Sequence, residues 1–248
     1  GQAGYAFALE DWRYEVAGEA RLGRPYREES IDLKVGVAYR HDTGTDDLWK
    51  VSQAENTVAA FFVKEDYYDY FETDGWTAYG VVRLTPLAQL SVAYRSEDYS
   101  SLDRNSTWAL FGGDGFMRNP AIVEGRMQSI TIALDGGRLR GFRAVPQGLA
   151  YRLTAEIGEG LGGDFEFSRY VGDMHAYLRT GPSTGLALRL RAGTSTGELP
   201  LQRRFTLGGM GTVRAYPRNI LRGSEMVLVN AEYSLYGHDL FDDLLEDV

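Results

Sequence analysis

The feature that most limits what this chain can become is an apolar/polar alternation with a period of two. In the run 12–22, Trp12, Tyr14, Val16, Gly18, Ala20 and Leu22 fall on one side, and Arg13, Glu15, Ala17, Glu19 and Arg21 on the other. Only an extended strand makes such a division. The run 31–40 repeats it, with Ile31, Leu33, Val35, Val37 and Tyr39 set against Asp32, Lys34 and Arg40. Further runs at 56–65, 75–85, 88–97, 127–135, 148–158, 165–180, 185–194 and 225–235 bring the expectation to ten strands, or eleven if 5–9 also pairs. Most are about nine to eleven residues long, which a tilted strand needs to cross a bilayer, whereas soluble strands are nearer five or six. The polar faces are charged. Leu186, Leu188 and Leu190 alternate with Arg189 and Arg191, and Tyr170, Met174, Ala176 and Leu178 oppose Arg169, Asp173, His175 and Arg179. A soluble sandwich would turn such faces to bulk water. A membrane barrel would make them a wet lumen and set the apolar faces against lipid.

Strand length favours the barrel, and so do the connections. Short ones at 85–87 and 181–184 fall on one side of the sheet, long ones at 98–126 and 195–224 on the other, the asymmetry of outer-membrane barrels. The segment 135–147 is long for the short-turn side. Aromatic residues gather near strand ends, at Tyr67, Tyr68, Tyr70, Phe71, Trp76, Tyr94, Tyr99 and Trp108, as interfacial girdles do. The longest apolar stretch, 59–63, is too short for a membrane helix. A net charge of −9 argues against nucleic acid as a partner, and the absence of cysteine excludes a disulfide frame or thiolate chemistry. No domain boundary is visible. The tail 238–248 breaks the alternation and reads as a helical turn or loop.

Several chemical motifs fail on context. Gly193-Thr194-Ser195-Thr196-Gly197 has the spacing of a nucleophile elbow, but Glu198-Leu199-Pro200-Leu201 follows it where a helix should stand. Gly158, Gly160 and Gly163 match a dinucleotide-binding spacing, but the next element is a strand. His41, His175 and His238 lack zinc-ligand spacing. The acid pairs Asp66/Asp69 and Asp242/Asp243 read as solvated loop groups rather than a calcium site, and the sequon at Asn105 has meaning only in a eukaryotic secretory route. No catalytic residue, metal or cofactor is expected.

The most specific stretch is 199–235. It runs Leu-Pro-Leu-Gln-Arg-Arg-Phe205, then Thr206-Leu207-Gly208-Gly209, then Val213-Arg214-Ala215-Tyr216-Pro217, then a strand ending Asn230-Ala231-Glu232-Tyr233. It resembles the C-terminal barrel of the bacterial surface antigen superfamily, which includes the BamA and TamA assembly factors and the two-partner secretion transporters. The resemblance covers 127–236 well and 1–126 only in strand rhythm.

That resemblance implies an all-β, antiparallel, up-and-down transmembrane barrel in the bacterial outer membrane. The family has sixteen strands, so the whole chain, 1–248, is expected to be a single partial barrel, incomplete at its C-terminus and at its N-terminus. The loop 195–224 is expected to be external and to fold into the lumen. There Arg214 would pair with Glu232, which shares an inward face with Asn230 and Ser234, while Phe205, Gly208, Gly209, Val213 and Tyr216 form the loop motif. A buried guanidinium needs such a carboxylate. Ala215 stands where the family has Gly, at a place where a positive φ would favour Gly. The implied function is insertion or translocation of outer-membrane or secreted polypeptides. The implied partners are outer-membrane lipids, polypeptide substrates and other outer-membrane or periplasmic subunits. The alternatives are a barrel serving as membrane anchor or structural subunit of an outer-membrane complex, and a soluble β-sandwich.

Overall fold

A computed structural model describes residues 1–6, 11–22, 32–85, 87–103, 109–111, 116, 118–140 and 145–235. Its main element is a ten-stranded antiparallel sheet. The strands are β1 (Gln2–Ala6), β2 (Asp11–Leu22), β3 (Asp32–Gly44), β4 (Phe71–Thr85), β5 (Ala88–Ser101), β6 (Gly125–Arg140), β7 (Gln147–Ile157), β8 (Phe167–Arg179), β9 (Thr184–Gly197) and, after a small hairpin of β10 (Phe205–Leu207) and β11 (Leu221–Gly223), β12 (Met226–Leu235). Sheet order follows chain order, β1 to β9 and then β12. This is the up-and-down pattern that the family resemblance implies, and β3 to β9 run eleven to sixteen residues each.

One segment differs. Residues 56–65, expected as a strand, lie largely within a helix, α1 (Gln53–Val63). Local chemistry decides it. The Ser52 hydroxyl accepts the Glu55 amide at 3.3 Å, and Glu55 in turn accepts the Ser52 amide at 3.1 Å, a reciprocal cap that starts a helix. Lys64 ends it in the left-handed conformation at φ 60°. The main sheet still has ten strands, because β1 joins it at the edge beside β2. The segment expected at 5–9 is represented by Gln2–Ala6, and 7–9 lie outside the described residues. The long segment 135–147 is strand as far as Arg140, β7 begins at Gln147, and 141–144 lie outside the described residues. Trp108, Asn105 and the tail 238–248 lie outside the described residues.

The two faces separate by chemistry. Val16, Val35, Val37, Val92, Ile132, Leu153, Leu190, Val227 and Val229 are all exposed on the outer face. So many bare apolar side chains are a liability in water and an asset against lipid. An aromatic belt crosses the outer face of β1–β4: Tyr5 meets Trp12 at 5.5 Å, Tyr14 meets Tyr39 at 6.1 Å, and Tyr39 meets Trp76 at 4.8 Å. The other face encloses a small apolar core of Phe71, Tyr99, Met127, Phe165, Phe167 and Leu199. The connections at 45–70, 102–124, 158–166 and 198–225 share one end of the sheet, and the short ones at 86–87 and 180–183 the other. Trp49, between β3 and β4, accepts a hydrogen bond from Arg189 of β9. Strands so distant in the sheet meet at one loop only because the sheet is curled around it.

Candidate functional site

Among the described residues, two loops pack against the inward face of the curled sheet. Residues 198–225 carry a 3-10 turn (Leu201–Arg203) and the β10–β11 hairpin, and residues 45–70 carry α1. Arg203 is the first anchor. Its guanidinium, almost wholly buried, donates to Asp46 Oδ1 at 2.6 Å and to the Tyr99 hydroxyl at 2.9 Å, and lies 3.3 Å from Glu156 Oε1. The inward walls extend this network. Tyr99 donates to Glu97 at 3.0 Å, Thr77 to Glu97 at 3.1 Å, and Ser129 to Glu156 at 3.3 Å. One loop cation thus ties β4, β5, β6 and β7 together. Arg169 of β8 closes the ring 3.3 Å from Asp46 Oδ2. Burial pushes the Asp46 carboxyl up, but the Arg203 and Arg169 guanidiniums outweigh it and hold it below its ordinary value of 3.8. Burial by itself would lower the Arg203 pKa. Asp46 and Glu156 reverse this and raise it.

The second anchor follows the loop's tip. Arg218 donates to the carbonyls of Asp66 and, at 3.0 Å, Tyr68, and pairs with Asp69 at 3.0 Å. Asn219, buried with a left-handed φ of 53°, donates to Asp47 at 3.0 Å and Asp69 at 2.9 Å and accepts from Lys50. Lys50 also lies 2.6 Å from Asp47. Burial drives the Lys50 pKa below its ordinary 10.5 against the pull of that carboxylate. Gln202 brackets Val123 with both backbone hydrogen bonds, at 3.3 and 2.9 Å. The two loops therefore form one plug.

The motif residues build the tip of this plug. Phe205 is buried beneath Gly193, where a Cβ would come within 2.4 Å of its ring, and the Arg169 guanidinium lies 4.7 Å over that ring. Gly208 has φ 118°, and a Cβ there would stand 2.1 Å from the Pro217 carbonyl. The Gly209 amide, at φ 81°, donates to the carbonyls of Val213 at 3.2 Å and Tyr216 at 2.9 Å. Tyr216 N donates to Val213 O at 3.1 Å, which closes a turn around Arg214 and Ala215. Ala215 is not among the described residues with positive φ, so the turn does not require glycine there.

The structure does not bring Arg214 and Glu232 together. Arg214 lies exposed on the turn. Glu232 is exposed on β12, where its recorded contact is the Ser234 hydroxyl at 3.4 Å. Among the described residues neither takes part in an ion pair. The loop touches β12 two residues nearer its own end of the strand, through Asn230 donating to the Thr212 carbonyl at 3.5 Å. Arg203, Arg218 and Asn219 do the holding expected of Arg214. In Leu-Gln-Arg-Arg-Phe nothing sets the buried Arg203 apart from the exposed Arg204, and no local pattern marked Asn219.

The structure also gathers one set of groups that spacing did not suggest. Asp11, His41 and Glu72 offer ligand atoms within 4.8 Å of one another. Arg13 already serves them, at 2.7 Å from Glu72 and 3.4 Å from His41. His41 also meets Asp11 and Asp74 at 2.9 Å each. The set reads as an ion-pair cluster built around an internal cation.

The comparisons agree with this architecture. The crystal structure of BamA from Haemophilus ducreyi lacking POTRA domains 1-3 is similar, with a TM-score of 0.50 and 12% sequence identity, over 88% of this chain and 44% of that one. The chain thus spans less than half of the BamA chain that it matches. A search of curated proteins finds no match. The family model of the Omp85 superfamily domain matches residues 13–241. The resemblance read from 199–235 therefore holds at the level of the family: the chain belongs to the Omp85 superfamily, as a bacterial outer-membrane β-barrel.

Proposed function

We propose that this barrel belongs to a factor that inserts or translocates polypeptides at the outer membrane. The observation that carries the reading is the plug, in an Omp85 barrel. Its contacts with the wall include ion pairs and hydrogen bonds, from Arg203 to Tyr99 and Glu156, from Arg169 to Asp46 and from Arg189 to the Trp49 carbonyl. Polar contacts can be exchanged for water one at a time, so these holds can be released stepwise. The work would be conformational, with no covalent chemistry. Lipids meet the outer face, and polypeptide meets the lumen or the sheet.

The test uses the full-length protein reconstituted into liposomes and supplied with a urea-unfolded outer-membrane barrel protein. Faster folding or entry of that substrate than in protein-free liposomes is expected. No acceleration, together with loss of an associated subunit from the membrane when the protein is depleted in cells, would replace this reading with that of an anchor or structural barrel.

A further inference from the structure

Trp49 belongs to neither anchor already described, and its surroundings are unusual. Its ring lies against two cations of the β9 wall, with the Arg191 guanidinium carbon 4.1 Å and that of Arg189 4.9 Å from the ring centroid. Lys50 adds a third cation at 5.4 Å. Both arginines are fixed from behind by one carboxylate of β8. Asp173 accepts from Arg189 at 2.6 and 3.0 Å and from Arg191 at 2.5 Å, and His175 lies 3.2 Å from it. Arg189 also donates to the Trp49 carbonyl at 2.9 Å.

Two guanidiniums on one carboxylate leave a surplus positive charge in a place with little water. Among the described residues Arg191 Nε is buried without a hydrogen-bond partner. The negative face of an indole ring suits that surplus better than the other aromatic rings do, and the attraction grows as water is removed. The segment that presents Trp49 is also the hub of the plug. Asp46 holds Arg203, while Asp47 and Lys50 hold Asn219. Gly211 approaches the Lys50 carbonyl so closely that a Cβ would stand 2.0 Å from it. Five consecutive residues therefore join the buried arginine, the loop tip and the β8–β9 wall.

We propose that Trp49 is the latch that closes the lumen: its ring, seated on Arg189 and Arg191, holds the 45–70 loop and with it the 198–225 loop against β8–β9, and its withdrawal opens the pore. The latch goes beyond the translocation reading and does not depend on it.

The experiment is ion conductance of the full-length protein in planar bilayers, with assembly of each variant checked by heat-modifiable gel migration. Trp49→Ala is expected to raise the open fraction roughly tenfold, from two partly desolvated cation–π contacts. Trp49→Leu, which keeps apolar bulk but no aromatic face, is expected to do the same, and Trp49→Phe to stay near the unmodified protein. If Trp49→Ala does not assemble, Arg191→Gln removes the cation instead and is expected to open the pore similarly. Unchanged conductance in Trp49→Ala, or in Arg191→Gln where that variant is read, would overturn the latch. So would a Trp49→Leu protein as closed as the unmodified one. A negative folding assay with unfolded substrate would leave these conductance outcomes where they stand.

Discussion

At the scale of single residues, charge burial decides what holds the plug. Arg203 is enclosed with Asp46 and Glu156, so replacing it by alanine strips the buried Glu156 carboxylate of this cation and leaves Asp46 with Arg169. Breaking a buried pair by removing one partner costs about 3–5 kcal/mol. Arg203→Ala should therefore make the 198–225 loop cleavable by added protease in intact membranes. Arg218→Ala should have a smaller effect, because two of its acceptors are backbone carbonyls that water can serve. Arg214→Ala should leave the loop resistant, since that side chain is exposed. Cleavage in the order Arg203, Arg218, Arg214 checks the assignment, and the reverse order would restore Arg214 as the holding residue. The clamp also has a pH signature. The Asp46 carboxyl titrates below its ordinary 3.8, so its contribution is full above that value and is lost as pH falls through the lower folded value. The plug should stay protease-resistant from neutral pH down to about 4 and loosen below it, as a pH series of digests would show.

At the scale of elements, two short signals outweigh longer patterns. The apolar stretch 58–63 has a strand's composition, yet Ser52 and Glu55 nucleate α1 three residues apart. Ser52→Ala should cost about 1 kcal/mol of helix stability, seen as faster amide exchange confined to 53–63. The second signal is the glycine pair at the base of the tip. Gly208→Val would force a side chain onto the Pro217 carbonyl, 2.1 Å from an ideal Cβ, at a φ that a β-branched residue avoids. The hairpin of β10 and β11 should then fail to close, and protease should cut between 208 and 217 while the barrel wall remains heat-resistant. Cleavage no faster than in the unmodified protein would mean that the tip has another route to closure.

At the scale of the whole molecule, the solvent on each face of the sheet sets the rules. Val92 lies on the outer face, opposite Ile132. Val92→Arg should cost about 2–4 kcal/mol of stability in a bilayer, measured as a shift in urea unfolding. Gln89→Arg, on the opposite face of the same strand, should be close to neutral. Equal effects would mean that the two faces meet the same environment. The fold was legible in the sequence because a strand's two-residue period writes each face's environment into every second position. The family was legible in Phe205, Gly208, Gly209, Val213 and Tyr216, whose spacing is fixed by one tight loop. The helix at 53–63 was legible too, but only in a capping pair four residues long, easily outvoted by the apolar run beside it. Which arginine holds the plug was not legible. The chain offers Arg203, Arg204, Arg214, Arg218 and Arg222 within twenty residues, and each is an equally good cation when read in order. The sequence by itself determined the alternation, the barrel and the family, because these rest on periodicity, strand length, the asymmetry of the connections and the local motif at 199–235. Only the tertiary structure decided that Asp46, Glu156 and Tyr99 meet Arg203, and that Trp49 meets Arg189 and Arg191. Those partners lie about fifty to one hundred and sixty residues apart, and only the curling of the sheet sets the low-dielectric space in which their charges must be paired.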